Sequence, residues 1–194
     1  MSTIQLETII NAPVAAVFKL SLNIDFHMKS MDQSQEKAIA GVTSGCIKKG
    51  ETVTWRGKHF GLWLTHTSLI TEYKPYTSFV DEMIKGRFKS FHHKHIFIDQ
   101  NGSTKMQDII TYKTPYGLAG NFFDKTVLYN YLTRLIKKKE RASQTHTRKR
   151  WRFRFRESVK KHGNKKNFIF GCYLNPTNAT FIIWQLIKLT PQSG

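Results

Sequence analysis

The fold is decided by the stretch FVDEMIKGRFKSFHHKHIFIDQNGSTKMQDIITY, residues 79–112. Apolar and polar residues alternate along it, which is typical of half-buried β-strands. Two turn signals divide the stretch: one lies around Gly86, and the other is the pair Asn101-Gly102, which favours a tight hairpin. The stretch therefore predicts three consecutive antiparallel strands.

The three histidines of this stretch separate onto two faces, because side chains alternate along a strand. His93 and His95 share one face with Phe91 and Phe97, whereas His92 lies on the other. The face of His92 also carries a lysine, which favours contact with solvent. We therefore predict that His93 and His95 point into the interior.

Pairing across the two hairpins brings further residues to this interior face. We expect His93 to lie roughly opposite Asp108, and Asp81 to reach the same face from the other hairpin. A slip of one residue would reverse the faces. In the expected register the face combines these polar groups with neighbours that are mostly apolar: Phe79, Met83, Phe91, Phe97, Thr104, Met106, Ile110 and Tyr112.

The upstream residues predict one strand, two short helices and three more strands. The first helix begins after Asn11, a plausible N-cap, and Pro13 suits its first turn. The predicted strands are 2–10, 36–41, 51–60 and 62–73, and the predicted helical segments are 11–23 and 24–31. A tight connection at Phe60-Gly61 joins the last two of these strands.

Residues 118–139 predict one long helix, because apolar residues recur at helical spacing and its end is basic. The predicted apolar stripe consists of Leu118, Phe122, Phe123, Val127, Tyr131 and Leu135. A curved antiparallel sheet of about six to seven strands covered by such a helix is an α+β architecture. The space between the sheet and the helix would be either a packed core or a cavity.

Four segments together resemble one known family: INAPVAAVFKL (10–20), ETVTWRGKHFG (51–61), FVDEMIKGRFKSFHHKHIF (79–97) and DIITYKTPYG (108–117), before a long helix. Over residues 3–140 the chain is similar to the SRPBCC superfamily (START/Bet v 1-like), and more narrowly to its bacterial ligand-binding, polyketide cyclase/dehydrase-like branch. The resemblance implies a helix-grip fold with a deep apolar cavity. It implies no particular reaction, because this fold hosts carriers, binders, cyclases and co-chaperones.

The charge of the chain is uneven. The formal net charge is +18, of which residues 1–141 carry +8 and residues 142–194 carry +10 with a single acidic residue. We therefore predict a ligand-binding domain over 1–141 and a basic extension over 142–194 that is disordered, poorly packed or translated outside the ancestral frame. Within the extension, 148–166 alternates arginine with aromatic residues and then turns lysine-rich, so it could contact nucleic acid or another polyanion non-specifically.

The sequence lacks the patterns of a disulfide framework, a signal peptide and a membrane span. Cys46 and Cys172 form no disulfide framework and have no metal-ligand spacing. The N-terminus lacks the pattern of a signal peptide, and no apolar run approaches the roughly 18 residues that a membrane span requires. We predict a cytoplasmic location, no cofactor and no transmembrane segment.

Three interpretations of the interior histidines stay open. They could ligate zinc or iron together with an aspartate, but no motif fixes the partner ligands, and we predict no metal. His93, His95 and Asp108 are candidate catalytic residues if an acid–base pair works in an apolar cavity. The favoured interpretation is that they orient a ligand or are satisfied core polar groups.

The predicted function is binding of a small hydrophobic or aromatic ligand, with a cyclase or dehydratase activity as the alternative. Trp55 would form an apolar wall beside Gly57. The pattern leaves open which face of strand 62–73 points inward. The predicted ligand-binding residues are Trp55, His59, Phe79, Asp81, Met83, Phe91, His93, His95, Phe97, Met106, Asp108, Ile110, Tyr112, Phe122 and Tyr131.

Overall fold

The computed structural model describes residues 1–31 and 34–162, with side chains described as far as residue 147. The chain divides into two compact units, Met1–Trp151 and Arg152–Gly194, and every contact described below lies within the first. Among the described residues, no helix is both long and apolar enough to cross a membrane.

The described residues form seven strands in one curved antiparallel sheet, in the order β1-β7-β6-β5-β4-β3-β2. The strands are β1 Ser2–Ile10, β2 Lys37–Gly41, β3 Thr52–His59, β4 Leu62–Lys74, β5 Ser78–Lys85, β6 Ser90–Gln100 and β7 Ser103–Lys113. The helices are α1 Val14–Ser21, α2 Ile24–Ser30, α3 Gly117–Phe123 and α4 Tyr129–His162, and a π-helical turn, Asp124–Leu128, lies between α3 and α4. This is the predicted helix-grip α+β fold.

Two of the predicted hairpin turns have the backbone that their residues favour. Phe60 and Gly61, between β3 and β4, have φ angles of 52° and 80°, and Asn101 and Gly102, between β6 and β7, have φ angles of 51° and 103°. Two central residues with positive φ define the type I′ turn, whose twist matches that of the flanking strands. These turns fix the register of both hairpins.

The register of β6 and β7 differs from the predicted one by two residues. Asp108 pairs with His95, and His93 pairs with Ile110. The shift follows from the two-residue turn, which makes Gln100 the partner of Ser103. Because side chains alternate with a period of two, an even shift leaves every residue on its predicted face.

The starts of the two short helices depend on different residues. α1 begins at Val14 with Pro13 as its N-cap residue, so the predicted cap at Asn11 is wrong. At α2 the side chain of Asn23 accepts a hydrogen bond of 2.7 Å from the backbone N–H of Phe26, which satisfies one of the free donors of the first turn.

Two apolar clusters hold the sheet to the helices. In the first, Phe18 of α1 makes edge-on contacts with Phe79 and Phe97, at ring-centroid distances of 5.8 Å and 5.2 Å. In the second cluster, α4 lies against β1 and β7. The buried residues of this cluster are Ile4, Ile110, Tyr112, Leu128 and Ile136. The long helix therefore covers the sheet at the β1–β7 side.

The π-helical turn changes the predicted apolar stripe. A π-turn inserts about one extra residue, which rotates the preceding helix by roughly 100° relative to the following one. Leu118 and Phe122 are consequently 88% and 73% exposed, whereas Tyr131 and Leu135 face the interior. The predicted helix over 118–139 is therefore continuous but irregular, and the uniform inward stripe is wrong because only the second half of the helix carries it.

The same turn directs the carboxylate of Asp124 into the protein. Tyr112 donates a hydrogen bond of 2.5 Å to it, and the hydroxyl of Ser2 donates a second one. Burial and the hydrogen bond to Asp124 raise the pKa of Tyr112. These bonds satisfy a carboxylate that is only 5% exposed and thereby favour the irregular turn.

The helix α4 continues beyond residue 141. Ser143 and Thr147 are buried, and the side-chain amide of Gln144 donates a hydrogen bond of 2.9 Å to the carbonyl of Ile9. Residues 143–147 therefore pack against the rest of the first unit. The character of the rest of the predicted extension, and the polyanion contact through 148–166, fall outside the residues whose side chains are described, and both stay predictions.

Candidate functional site

A cavity of about 210 Å³ lies between the sheet and α4. Strands β3 to β6, helix α2 and helix α4 contribute to its wall, which is mainly aromatic and aliphatic. Nine of the predicted binding residues line it: Trp55, His59, Phe79, Asp81, Met83, Phe91, His93, His95 and Tyr131.

The structure places the other six predicted residues elsewhere. Asp108 lies behind His93 and His95 and is only 1% exposed. Four others belong to the apolar clusters: Phe97 and Met106 to the first, and Ile110 and Tyr112 to the second. The last, Phe122, is exposed on α3. They support the wall from behind or lie away from it.

Strand β4 has one inward face. Leu64, His66 and Ile70 line the cavity. Trp63 lies on the other face, where the guanidinium of Arg56 sits 5.0 Å from its ring centroid. The cation–π contact explains why a tryptophan is tolerated outside the core, and it settles the face that the sequence pattern had left open.

Four polar side chains from three neighbouring strands form what we call the His/Asp cluster: Asp81, His93, His95 and Asp108. Asp81 of β5 pairs with His93 of β6, and His95 of β6 pairs with Asp108 of β7. Side chains at directly paired positions lie close together on one face of a sheet. Strand pairing alone therefore assembles the cluster.

Asp108 contacts one ring nitrogen of each histidine. Its Oδ1 is hydrogen-bonded to Nε2 of His93 at 2.8 Å and lies 2.5 Å from Nδ1 of His95. The opposite nitrogens face Asp81, whose Oδ2 lies 3.6 Å from Nδ1 of His93 and 3.4 Å from Nε2 of His95. The two rings thus lie between a buried carboxylate and one that is partly open to the cavity.

The two histidines differ in their affinity for a proton. Burial and the neighbouring charge of His95 lower the pKa of His93. Burial also disfavours the charged form of His95, but the carboxylates of Asp108 and Asp81 outweigh it and raise the pKa of that ring. Burial opposes ionisation of both aspartates as well, yet the adjacent histidines lower the pKa of each. A proton that enters the cluster therefore binds His95 in preference to His93.

A further carboxyl lies behind the cluster. Glu140 of α4 accepts a hydrogen bond of 2.6 Å from the hydroxyl of Thr8. Burial raises the pKa of Glu140 to about 7; the Thr8 hydrogen bond opposes this rise, and the neighbouring Asp108 adds to it. Oε1 of Glu140 and Oδ2 of Asp108 are buried and have no other hydrogen-bond partner among the described residues. A proton shared between the two carboxyls would satisfy both.

The cavity wall carries a second polar group around Glu36, which sequence reasoning missed. Glu36 accepts a hydrogen bond of 3.1 Å from His27, whose ring stacks on Trp55 at 4.2 Å. Burial opposes ionisation of Glu36, but the hydrogen bond and charge of His27 lower its pKa to about 2. Nearby, Nδ1 of His59 lies 2.7 Å from the hydroxyl of Tyr131. Glu36 precedes a short edge strand, where no periodicity signals which way a side chain points.

Comparisons with known proteins identify the fold. Neither the family models nor the curated proteins gave a match, whereas solved structures did. TTHA0849 from Thermus thermophilus is 14% identical, with a TM-score of 0.60 over 75% of this chain and 99% of its own. Major latex-like protein 151 from Panax ginseng is also 14% identical, with a TM-score of 0.58 over 75% and 97%. The Zhui aromatase/cyclase from Streptomyces sp. R1128 is 11% identical, with a TM-score of 0.55 over 73% and 93%. These likenesses confirm the helix-grip fold.

Proposed function

We propose that this chain binds a small hydrophobic or aromatic molecule in its cavity. The observation that carries the proposal is a mainly apolar space into which the polar groups of the His/Asp cluster converge from neighbouring strands. Pockets of this kind use apolar walls for affinity and a few polar groups for orientation. A volume of about 210 Å³ leaves room for an organic molecule rather than for one water.

The wall suggests how such a ligand would lie. Trp55, Phe79 and Leu135 offer apolar contact surface, and aromatic residues of this size contribute much of the affinity of a binding site. The cluster offers a carboxylate, Asp81, and the cavity-side nitrogens of its two histidines. A hydroxyl or carbonyl oxygen of the ligand would be oriented toward these groups.

Filling the cavity should abolish binding. We expect Leu135→Trp to weaken the binding of aromatic ligands by at least about tenfold, because the indole would occupy the space beside the wall. The measurement is a fluorescence titration with 8-anilinonaphthalene-1-sulfonate, followed by competition with a panel of aromatic and aliphatic compounds.

The matched control is Leu118→Trp, which adds the same ring at a side chain that is 88% exposed. This variant should bind as the wild type does. Equal affinities of the wild type and Leu135→Trp would contradict a ligand site in the cavity, as would a folded wild type that binds nothing in the panel.

A second candidate function is a cyclase or dehydratase activity in the same cavity. It is favoured by one observation: His93 is held by Asp108 through Nε2 and directs Nδ1 toward the cavity side of the cluster. A base oriented by a buried carboxylate is the arrangement that abstracts a proton next to a carbonyl group. The likeness of the fold to an aromatase/cyclase agrees with such a reaction.

This candidate predicts a defined effect of removing the base. With a polyketide-like β-ketone as substrate, His93→Gln should lower kcat/KM by about 10²–10⁴-fold. Because burial lowers the pKa of His93, activity should fall only at pH values below the ordinary titration range of histidine. His92→Gln, on the opposite face of the same strand, should leave turnover and its pH profile intact. Unchanged turnover in both His93→Gln and His95→Gln would exclude the assignment.

A further inference from the structure

One ligand atom from each of Asp81, His93 and His95 lies within 4.8 Å of the other two. On the cavity side of the cluster, Oδ2 of Asp81 lies 3.6 Å from Nδ1 of His93 and 3.4 Å from Nε2 of His95. These separations are longer than most N–H···O hydrogen bonds, which measure about 2.7–3.2 Å. The contact between Asp81 and His95 is accordingly a long hydrogen bond, which leaves the three atoms close together but only weakly bonded to one another.

The separations match those required around a metal ion. Zinc binds histidine nitrogen and carboxylate oxygen at about 2.0–2.2 Å. Two ligands at that distance in tetrahedral geometry lie about 3.4 Å apart, which follows from the bond length and the tetrahedral angle. The separations between Asp81 and each histidine therefore fit two ligands of one cation, and the ligand atoms of all three residues lie within 4.8 Å of one another.

We propose that Asp81, His93 and His95 form a binding site for a first-row divalent metal cation whose remaining coordination positions open into the cavity. Two imidazoles and one carboxylate are a donor set of zinc and of its first-row neighbours, whereas magnesium and calcium prefer oxygen ligands alone. The site goes beyond ligand binding and does not depend on it.

Asp108 has the position of an orienting carboxylate behind two metal ligands. It contacts Nε2 of His93 and Nδ1 of His95, which are the nitrogens that face away from Asp81. Protons held on these two nitrogens leave the lone pairs of Nδ1 of His93 and Nε2 of His95 directed at the cation. Metal-ligating histidines almost always donate their other N–H to a carboxylate, a carbonyl or water in this manner.

The charges of the cluster are also suited to a dication. Metal ligation requires both histidines in the neutral form, so any proton on His95 is released on binding. Two aspartates and two neutral imidazoles then carry a formal charge of −2, which one divalent cation balances. The cation would lie where Asp81 is 23% exposed and the histidines are 6% and 2% exposed, so a route from the cavity reaches it. The third ligand comes from β5, and no local sequence motif joins it to the two histidines, so the residue pattern alone predicts no metal.

The test is metal binding by the full chain after removal of metals with a chelator. Zinc chloride is titrated into the protein by calorimetry, and cobalt(II) is titrated with detection of its visible absorption, which reports nitrogen and oxygen coordination. We expect one zinc per cavity with micromolar or tighter affinity. Asp81→Asn and His95→Gln should each weaken it by at least about 100-fold, since each removes a ligand.

Three further variants separate this site from other histidines. Asp108→Asn should weaken zinc by about 10–100-fold without abolishing the cobalt spectrum, as expected for an orienting residue. His92→Gln, on the other face of β6, and His59→Gln, in the second polar group of the cavity, should bind zinc as the wild type does.

The proposal is overturned if the folded wild type binds neither metal, or if Asp81→Asn binds zinc within about twofold of the wild type. Loss of zinc in His59→Gln with retention in Asp81→Asn would also overturn it, because the metal would then lie at the second polar group. Circular dichroism shows which variants are folded. If a histidine variant is not folded, the partly exposed Asp81 decides the test alone.

Discussion

Replacement of Asp108 by alanine is expected to lower the free energy of unfolding by about 3–5 kcal/mol. The carboxylate is 1% exposed and contacts a ring nitrogen of both His93 and His95. When one partner of a buried polar pair is removed, the other stays buried without a hydrogen-bond partner. The resulting loss of unfolding free energy exceeds the net stabilisation that the intact pair provides. In Asp108→Ala the imidazoles of both His93 and His95 lose the carboxylate that they share. Urea denaturation at pH 7 in the presence of a chelator measures the loss.

The control for this prediction is Asp99→Ala, at the exposed end of β6. It also removes an aspartate from the same hairpin, but surface substitutions of this kind usually change stability by less than about 0.5 kcal/mol. A loss below about 1 kcal/mol in Asp108→Ala would mean that the histidines do not depend on this carboxylate, and the proposed orientation of their ring nitrogens would fail with it.

Glu140→Gln is expected to stabilise the protein at pH 8 by an amount on the order of 2 kcal/mol and to leave it nearly unchanged at pH 4.5. The pKa of Glu140 is raised to about 7 in the folded state and takes its ordinary value near 4.5 in the unfolded chain. Below pH 4.5 both states carry the proton. Between pH 4.5 and 7 only the folded state holds it, so this group makes the protein less stable as the pH rises.

Glutamine imitates the protonated acid. Its amide can accept the hydrogen bond from Thr8 and donate one toward Oδ2 of Asp108, which has no other partner among the described residues. The variant should therefore keep the low-pH stability over the whole range. The measurement is the difference in unfolding free energy between variant and wild type, taken at intervals from pH 4.5 to 8.

The control for this experiment is Glu7→Gln on β1. Hydrogen bonds from Lys105 and Gln107 lower the pKa of Glu7, so its titration lies below the interval measured. The difference between this variant and the wild type should not change from pH 4.5 to 8. A flat difference for Glu140→Gln as well would show that Glu140 is ionised in the folded protein at pH 5 and shares no proton with Asp108.

Most of the fold follows from local signals. The alternation in 79–112 predicted three strands and their faces, and the Asn101-Gly102 pair predicted the hairpin that joins two of them. Both are confirmed, because a period of two and a turn with two positive φ angles are properties of short segments. The cluster of His93, His95 and Asp108 followed from these faces even though the predicted register was two residues off.

The features that could not be predicted depend on tertiary contacts. The π-helical turn has no sequence signature of its own; it is stabilised by Asp124, which reaches the hydroxyls of Tyr112 and Ser2 far along the chain. Leu118 and Phe122 have ideal helical spacing, yet the turn rotates them outward. Periodicity predicts which residues share a face of a regular helix, but it cannot show where a helix ceases to be regular.

The contacts of Asp108 limit how the proposed ligand site could change. The His/Asp cluster and Glu140 connect three strands and the long helix through the buried carboxylate of Asp108. Substitutions among these residues would therefore alter the stability of the fold together with binding of the proposed ligand. Side chains such as Leu135 and Trp55 touch the cavity without belonging to that connection. Divergence toward new ligands, in evolution or in the laboratory, is therefore expected to proceed through the apolar wall while the polar residues stay fixed.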